Sequence, residues 1–118
     1  MRSAAVAEDF PMHATASDRR WQRRSFDVRV RVNTAHGGRM LVVPGRSRDL
    51  SPGGLGTVLT LALPRGTPVI ITLQRRGREL DLPAVLRHRQ GFRCGFQFRA
   101  LTAATLRMLR RLHAQLPD

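Results

Sequence analysis

Across residues 26–32 apolar and charged side chains alternate without a break: Phe26, Val28, Val30 and Val32 fall on one face, and Asp27, Arg29 and Arg31 on the other. That period of two predicts a half-buried β-strand. A turn follows over residues 34–38, and a second short strand over 39–43 is expected to stop at Pro44 and Gly45. The alternation resumes at Leu55 and passes through Thr57, Leu59 and Leu61 to a turn at 64–68. Val69, Ile71 and Leu73 mark a fourth strand, and Leu80, Leu82, Ala84 and Leu86 a fifth, separated by a turn that contains Gly77. Gln90 and Gly91 predict a hairpin, and the strand beyond it places Phe92, Cys94, Phe96 and Phe98 inward and Arg93, Gly95, Gln97 and Arg99 outward. The period then changes. Leu106, Leu109, Leu112 and Leu116 recur every three or four residues, so a helix capped by Thr102 runs to about Gln115 and ends at Pro117. Six short strands and one helix predict a mainly β fold, a small six-stranded antiparallel barrel with a C-terminal helix, since closure removes unpaired strand edges.

Composition narrows the classes of function. A chain of 118 residues fits one domain with a real core. Residues 1–17 show neither periodicity and are expected to form a tail ahead of a domain over 18–118. Cys94 is the only cysteine, so no intramolecular disulfide forms, and its place in an apolar strand predicts a small core residue rather than a nucleophile. His13, His36, His88 and His113 lack metal-ligand spacing, so no metal is expected. Nor is there a paired-carboxylate or Ser-His constellation, so an enzyme is not expected. No apolar run approaches the length of a membrane helix, and a cytoplasmic protein without a membrane partner is expected. The final helix, apolar on one stripe and basic elsewhere, is expected to close one end of the barrel.

The formal charge of +13 changes the picture. Clustered cations attract phosphates, which makes a nucleic-acid-binding basic barrel an alternative reading. All 21 basic residues are arginine, however, and they are spread over strands and turns as a solvated face would be.

Two segments carry more specific chemistry. Residues 18–24 read Asp-Arg-Arg-Trp-Gln-Arg-Arg, a basic arm that holds two arginine pairs at the same spacing, Arg19 with Arg23 and Arg20 with Arg24. Residues 46–56 read Arg-Ser-Arg-Asp-Leu-Ser-Pro-Gly-Gly-Leu-Gly. Here an acceptor-only carboxylate, Asp49, is followed two residues later by Ser51, and Arg46 and Arg48 bracket the group. Pro52 and Gly53 then interrupt regular structure. By itself the segment reads first as an ordinary turn in which Asp49 and Ser51 bond their own backbone.

Together, an Arg-x-x-x-Arg arm before the first strand and Asp49-x-Ser51-x-x-Gly54 between the second and third strands resemble the PilZ domain, the bacterial receptor for cyclic di-GMP. The similarity extends over residues 18–116 and includes the Asp-Leu-Ser-Pro-Gly-Gly-Leu wording, the strand Gly95-Phe96-Gln97-Phe98 and the closing helix. The resemblance implies a basic arm over 18–25, a barrel over 26–99 and a helix over 102–116. It also implies a non-enzymatic receptor that binds cyclic di-GMP on the barrel's outer surface, with the arm folding over the ligand to regulate a protein partner. The ligand-binding set it implies is Arg19, Arg20, Arg23, Arg24, Asp49, Ser51, Gly53 and Gly54. The extra arginine in front leans the register toward Arg20 with Arg24, and Trp21 either stacks on a base or anchors the arm. A PilZ-like module that only docks other proteins is a further alternative.

The chemistry fits the residues. Ionised Asp49 can accept from the N1 and N2 donors of a guanine, while arginines can bond guanine O6 and N7, stack on the bases and meet the phosphates.

Overall fold

The computed structural model describes residues 22–117. Apolar alternation gives six long strands: β2 (Arg29–His36), β3 (Arg39–Ser51), β4 (Gly54–Leu59), β5 (Pro68–Arg75), β6 (Arg78–Gln90) and β7 (Arg93–Phe98), preceded by a two-residue β1 (Arg24–Ser25). Every pairing is antiparallel. The order β3-β2-β5-β6-β7-β4 returns to its start because β4 also pairs with β3, which closes a six-stranded barrel. Inward residues of all six strands fill it: Val30, Leu50, Leu55, Ile71, Leu82, Leu86 and Phe96 are fully buried. Each contributes roughly 1.5–3 kcal/mol by leaving water. Helix α1 (Ala103–Ala114) begins at Thr102, whose hydroxyl accepts the Thr105 N–H at 3.1 Å, and it buries Leu109 against the core with Leu112 and Leu116 packed beside it.

The structure corrects several local expectations. β3 does not stop at Pro44 but continues through the polar segment to Ser51. The Pro44 carbonyl faces the β4 side, where it accepts the Thr60 N–H at 3.1 Å just beyond the end of β4. The N–H that proline lacks therefore has no ladder partner to lose. Phe26 is buried as expected, yet regular pairing begins only at Arg29. Over residues 26–28 two backbone bonds to β3 remain, Phe26 N–H to the Arg48 carbonyl and Ser47 N–H to the Val28 carbonyl. The buried Ser47 hydroxyl fills the gap between them, donating to the Phe26 carbonyl at 2.5 Å and accepting the Val28 N–H at 2.9 Å. Phe92 belongs to the turn between β6 and β7 and Leu61 lies past the end of β4, so both point to solvent, 56% and 45% exposed.

One irregularity decides what faces outward. Val43 and Ser47 point into the barrel, and unbroken alternation would send Asp49 after them. Between Ser47 and Asp49, however, β3 spends two residues against one step of β4, so Arg48 is a bulge. The bulge shifts the phase: Leu50 becomes the core residue and Asp49 turns to the outer surface.

Candidate functional site

Residues 24–25 pair with the motif strand, Arg24 opposite Leu50 and Ser25 opposite Asp49, so the chain immediately before them is delivered beside the outward carboxylate. There Arg23 Nη1 donates to Asp49 Oδ1 at 2.7 Å, joining groups 26 residues apart in sequence. Their side chains are 36% and 30% exposed. At that exposure an ion pair contributes at most about 1 kcal/mol to stability, so the fold has little need of it. Asp49 Oδ2 has no bond among the described residues and can still accept.

The pair borders a cleft of about 300 Å³ on the barrel's outer wall, which Arg48, Gly56, Gly95 and Arg93 also line. Gly56 lies directly opposite Asp49 on the neighbouring strand. A Cβ at Gly56 would stand 2.6 Å from Asp49 Oδ1 and 3.0 Å from Oδ2, so the carboxylate lies flat on this glycine. Sequence reasoning missed Gly56; the signal was a second glycine inside a strand pattern, the mark of a close approach.

The remaining candidates divide by location. The Ser51 hydroxyl is buried and accepts the Gly53 N–H at 3.3 Å, the local turn chemistry open to a serine before Pro52. Gly53 is exposed in that turn. Gly54 opens β4 and meets Gln97 of β7, and a Cβ there would stand 2.3 Å from the Phe96 carbonyl oxygen and 3.6 Å from Arg23 Nη2. Arg46 is held by Asp27 at 2.7 Å and stands apart from the cleft, whereas Arg48 lines it. Arg19, Arg20 and Trp21 lie outside the described residues.

Arg24 turns away from Asp49 to the end of α1, where Nη1 donates to the carbonyls of His113 at 3.1 Å and Ala114 at 3.4 Å. A cation on the unsatisfied carbonyls of a helix C-terminus is favourable. The buried His113 Nε2 bonds the Gln22 carbonyl, which fastens the helix to the arm a second time. Arg24→Ala is accordingly expected to destabilise the fold by about 1–2 kcal/mol. Thermal unfolding checks it, with a fall in Tm of roughly 4–8 °C per kcal/mol expected for a domain of this size.

The buried Cys94 has its thiol pKa raised by desolvation, against the weaker opposing pull of Arg89. A thiol held protonated in this way is a poor nucleophile. Among the described residues no His, Cys, Asp and Glu cluster could hold a metal ion, and no helix is long and apolar enough to cross a membrane.

A sequence family described as "PilZ domain" matches residues 17–115 of the chain. No curated protein matches it. Among solved structures, the PilZ domain of CeSA from a cellulose-synthesising bacterium superposes with a TM-score of 0.63 at 28% identity, over 79% of this chain and 95% of that one. The PilZ domain of YcgR from Escherichia coli, solved with c-di-GMP, gives 0.66 at 22% identity over 82% and 89%. The Bacillus subtilis inhibitor of motility MotI/DgrA gives 0.61 at 15% identity over 80% of this chain and 48% of its own length.

Proposed function

The chain belongs to the PilZ domain family, and on that premise we propose that it is a receptor for cyclic di-GMP that passes the binding event to a protein partner. The observation that carries this reading is the contact between Arg23 and Asp49 at the edge of an outer-wall cleft, made by the last residues of the arm and the first residue of the motif. A guanine edge laid against Asp49 finds an acceptor at Oδ2, and Arg23 is placed to reach O6 and N7 or a phosphate. The arginine pair we assign to the ligand is Arg19 with Arg23, because Arg24 is engaged at the helix end. Ser51 and Gly53 then act by shaping the turn that ends the motif strand. The solved complex of YcgR with c-di-GMP supports the choice of ligand.

Residues 18–25 act as the ligand-binding arm, and their attachment to α1 suggests how binding is reported. Gln22 and Arg24 hold the C-terminal end of the helix on either side of Arg23. A ligand that draws Arg23 toward its phosphates thus acts on a segment anchored to α1. It shifts the helix end only as far as it binds the two arrangements with different affinity. Titration calorimetry with cyclic di-GMP tests the reading, run beside DNA duplexes over a range of salt. A dinucleotide with two charges gives a shallow salt dependence, whereas a nucleic-acid partner gives a slope that grows with the number of phosphates contacted.

A further inference from the structure

The row of residues that crosses the barrel wall at Asp49 extends well beyond the motif. Asp49 on β3 faces Gly56 on β4, Gly56 faces Gly95 on β7, and Gly95 faces His88 on β6. The two middle positions carry no side chain, so the row forms a shallow trough with a carboxylate at one end and an imidazole at the other. A second bulge builds the far end. Leu82, Ala84 and Leu86 point inward, and unbroken alternation would bury residue 88 beneath them. Between Leu86 and His88 the register of β6 slips by one against β7, which leaves Arg87 as the extra residue and turns His88 outward. Both ends of the trough are therefore set by a register shift at the same level of the barrel.

The Asp49 carboxylate lies over Gly56, so two strand spacings, roughly 10 Å, separate it from His88. That is longer than one purine, so a base whose edge lies against Asp49 leaves the far end of the cleft unfilled. The groups waiting there are His88, Gln90 and Arg93, all exposed and lining the same cleft. Their backbones pair in the β6–β7 ladder, and none of the three side chains has a hydrogen-bond or ion-pair partner among the described residues.

We propose that His88 is a ligand-binding residue of this site, which takes the second guanine of the dinucleotide while Asp49 takes the first. Gly56 lies under the Asp49 carboxylate, and Gly95 beside it lets the ligand lie against the backbone between Asp49 and His88. The imidazole can donate to guanine O6 or N7 or stack on the base, and Arg93 beside it meets a phosphate. This inference rests on the receptor reading above and adds to it a specificity residue on β6, outside both sequence motifs.

Calorimetric titration of the full chain with cyclic di-GMP tests it, using wild type, His88→Ala, His88→Gln and Gly95→Val, each checked for an unchanged Tm. His88→Ala is expected to weaken binding about tenfold. His88→Gln, which keeps a donor and an acceptor, is expected to recover most of that loss. Gly95→Val, on an outward strand position, raises the trough floor and is expected to weaken binding at least as much. If wild type binds and His88→Ala binds within twofold of it, His88 is not a ligand residue and the receptor reading stands. If wild type gives no binding heat, the receptor reading fails and the role of His88 with it.

Discussion

Asp49→Ala is expected to weaken cyclic di-GMP binding by about tenfold to a hundredfold and to leave the fold nearly as stable as wild type. A well-formed bidentate contact to a base contributes roughly 1–3 kcal/mol, and about 1.4 kcal/mol corresponds to one factor of ten in Kd. On the stability side, the only partner of the carboxylate among the described residues is Arg23, and both side chains are about one-third exposed. Removing such a pair costs at most about 1 kcal/mol. Arg23→Ala should behave in the same way, whereas Arg24→Ala should lose stability before it loses ligand, because its Nη1 serves the end of α1. Titration calorimetry and thermal unfolding on the same three variants separate the roles. Equal losses of binding from Arg23→Ala and Arg24→Ala, with unchanged Tm for both, would contradict the division.

Gly54→Ala is expected to act in the opposite order, on stability first. A methyl group at this position would stand 2.3 Å from the backbone carbonyl of Phe96, across the β4–β7 pairing that contributes to barrel closure. Backbone cannot rotate aside as a side chain can, so the two strands must part. Overpacking of this kind typically costs about 1–3 kcal/mol, and a backbone obstacle puts the effect at the upper end. Gly56→Ala offers the internal contrast, since its methyl group meets the Asp49 carboxylate, the movable end of a side chain. That variant should keep most of its stability and lose ligand by displacing Asp49. Urea unfolding beside ligand titration distinguishes the two glycines; similar stability for both variants would contradict the clash assigned to Gly54.

The two glycines also mark where sequence reading stops. Gly54 was legible as a position where something approaches closely, and the resemblance assigned that approach to a ligand; the nearest group is the protein's own β7. Strand number and the closing helix were legible because each rests on local periodicity, whereas the link between the basic arm and Asp49 entered through the family resemblance. The bulges at Arg48 and Arg87 were not, since a bulge is a mismatch between partner strands and leaves no mark on either strand alone. Those two residues nevertheless decide that Asp49 and His88 face outward. The same limit hid the length of β3, where Pro44 is harmless only because its nitrogen points past the end of β4. It also hid the role of Arg24, whose partners lie about 90 residues away on a helix terminus. Phe92 was misassigned because alternation continues into the turn that Gly91 begins one position later than Gln90 suggested.

Calorimetric titration of the folded wild-type chain with cyclic di-GMP decides whether an arm arginine and Asp49 together hold that ligand. The predicted result is saturable heat at micromolar ligand, with affinity that changes little as salt rises and falls by about tenfold or more in Asp49→Ala. A flat titration of a sample shown to be folded would contradict it, as would wild-type affinity retained in Asp49→Ala.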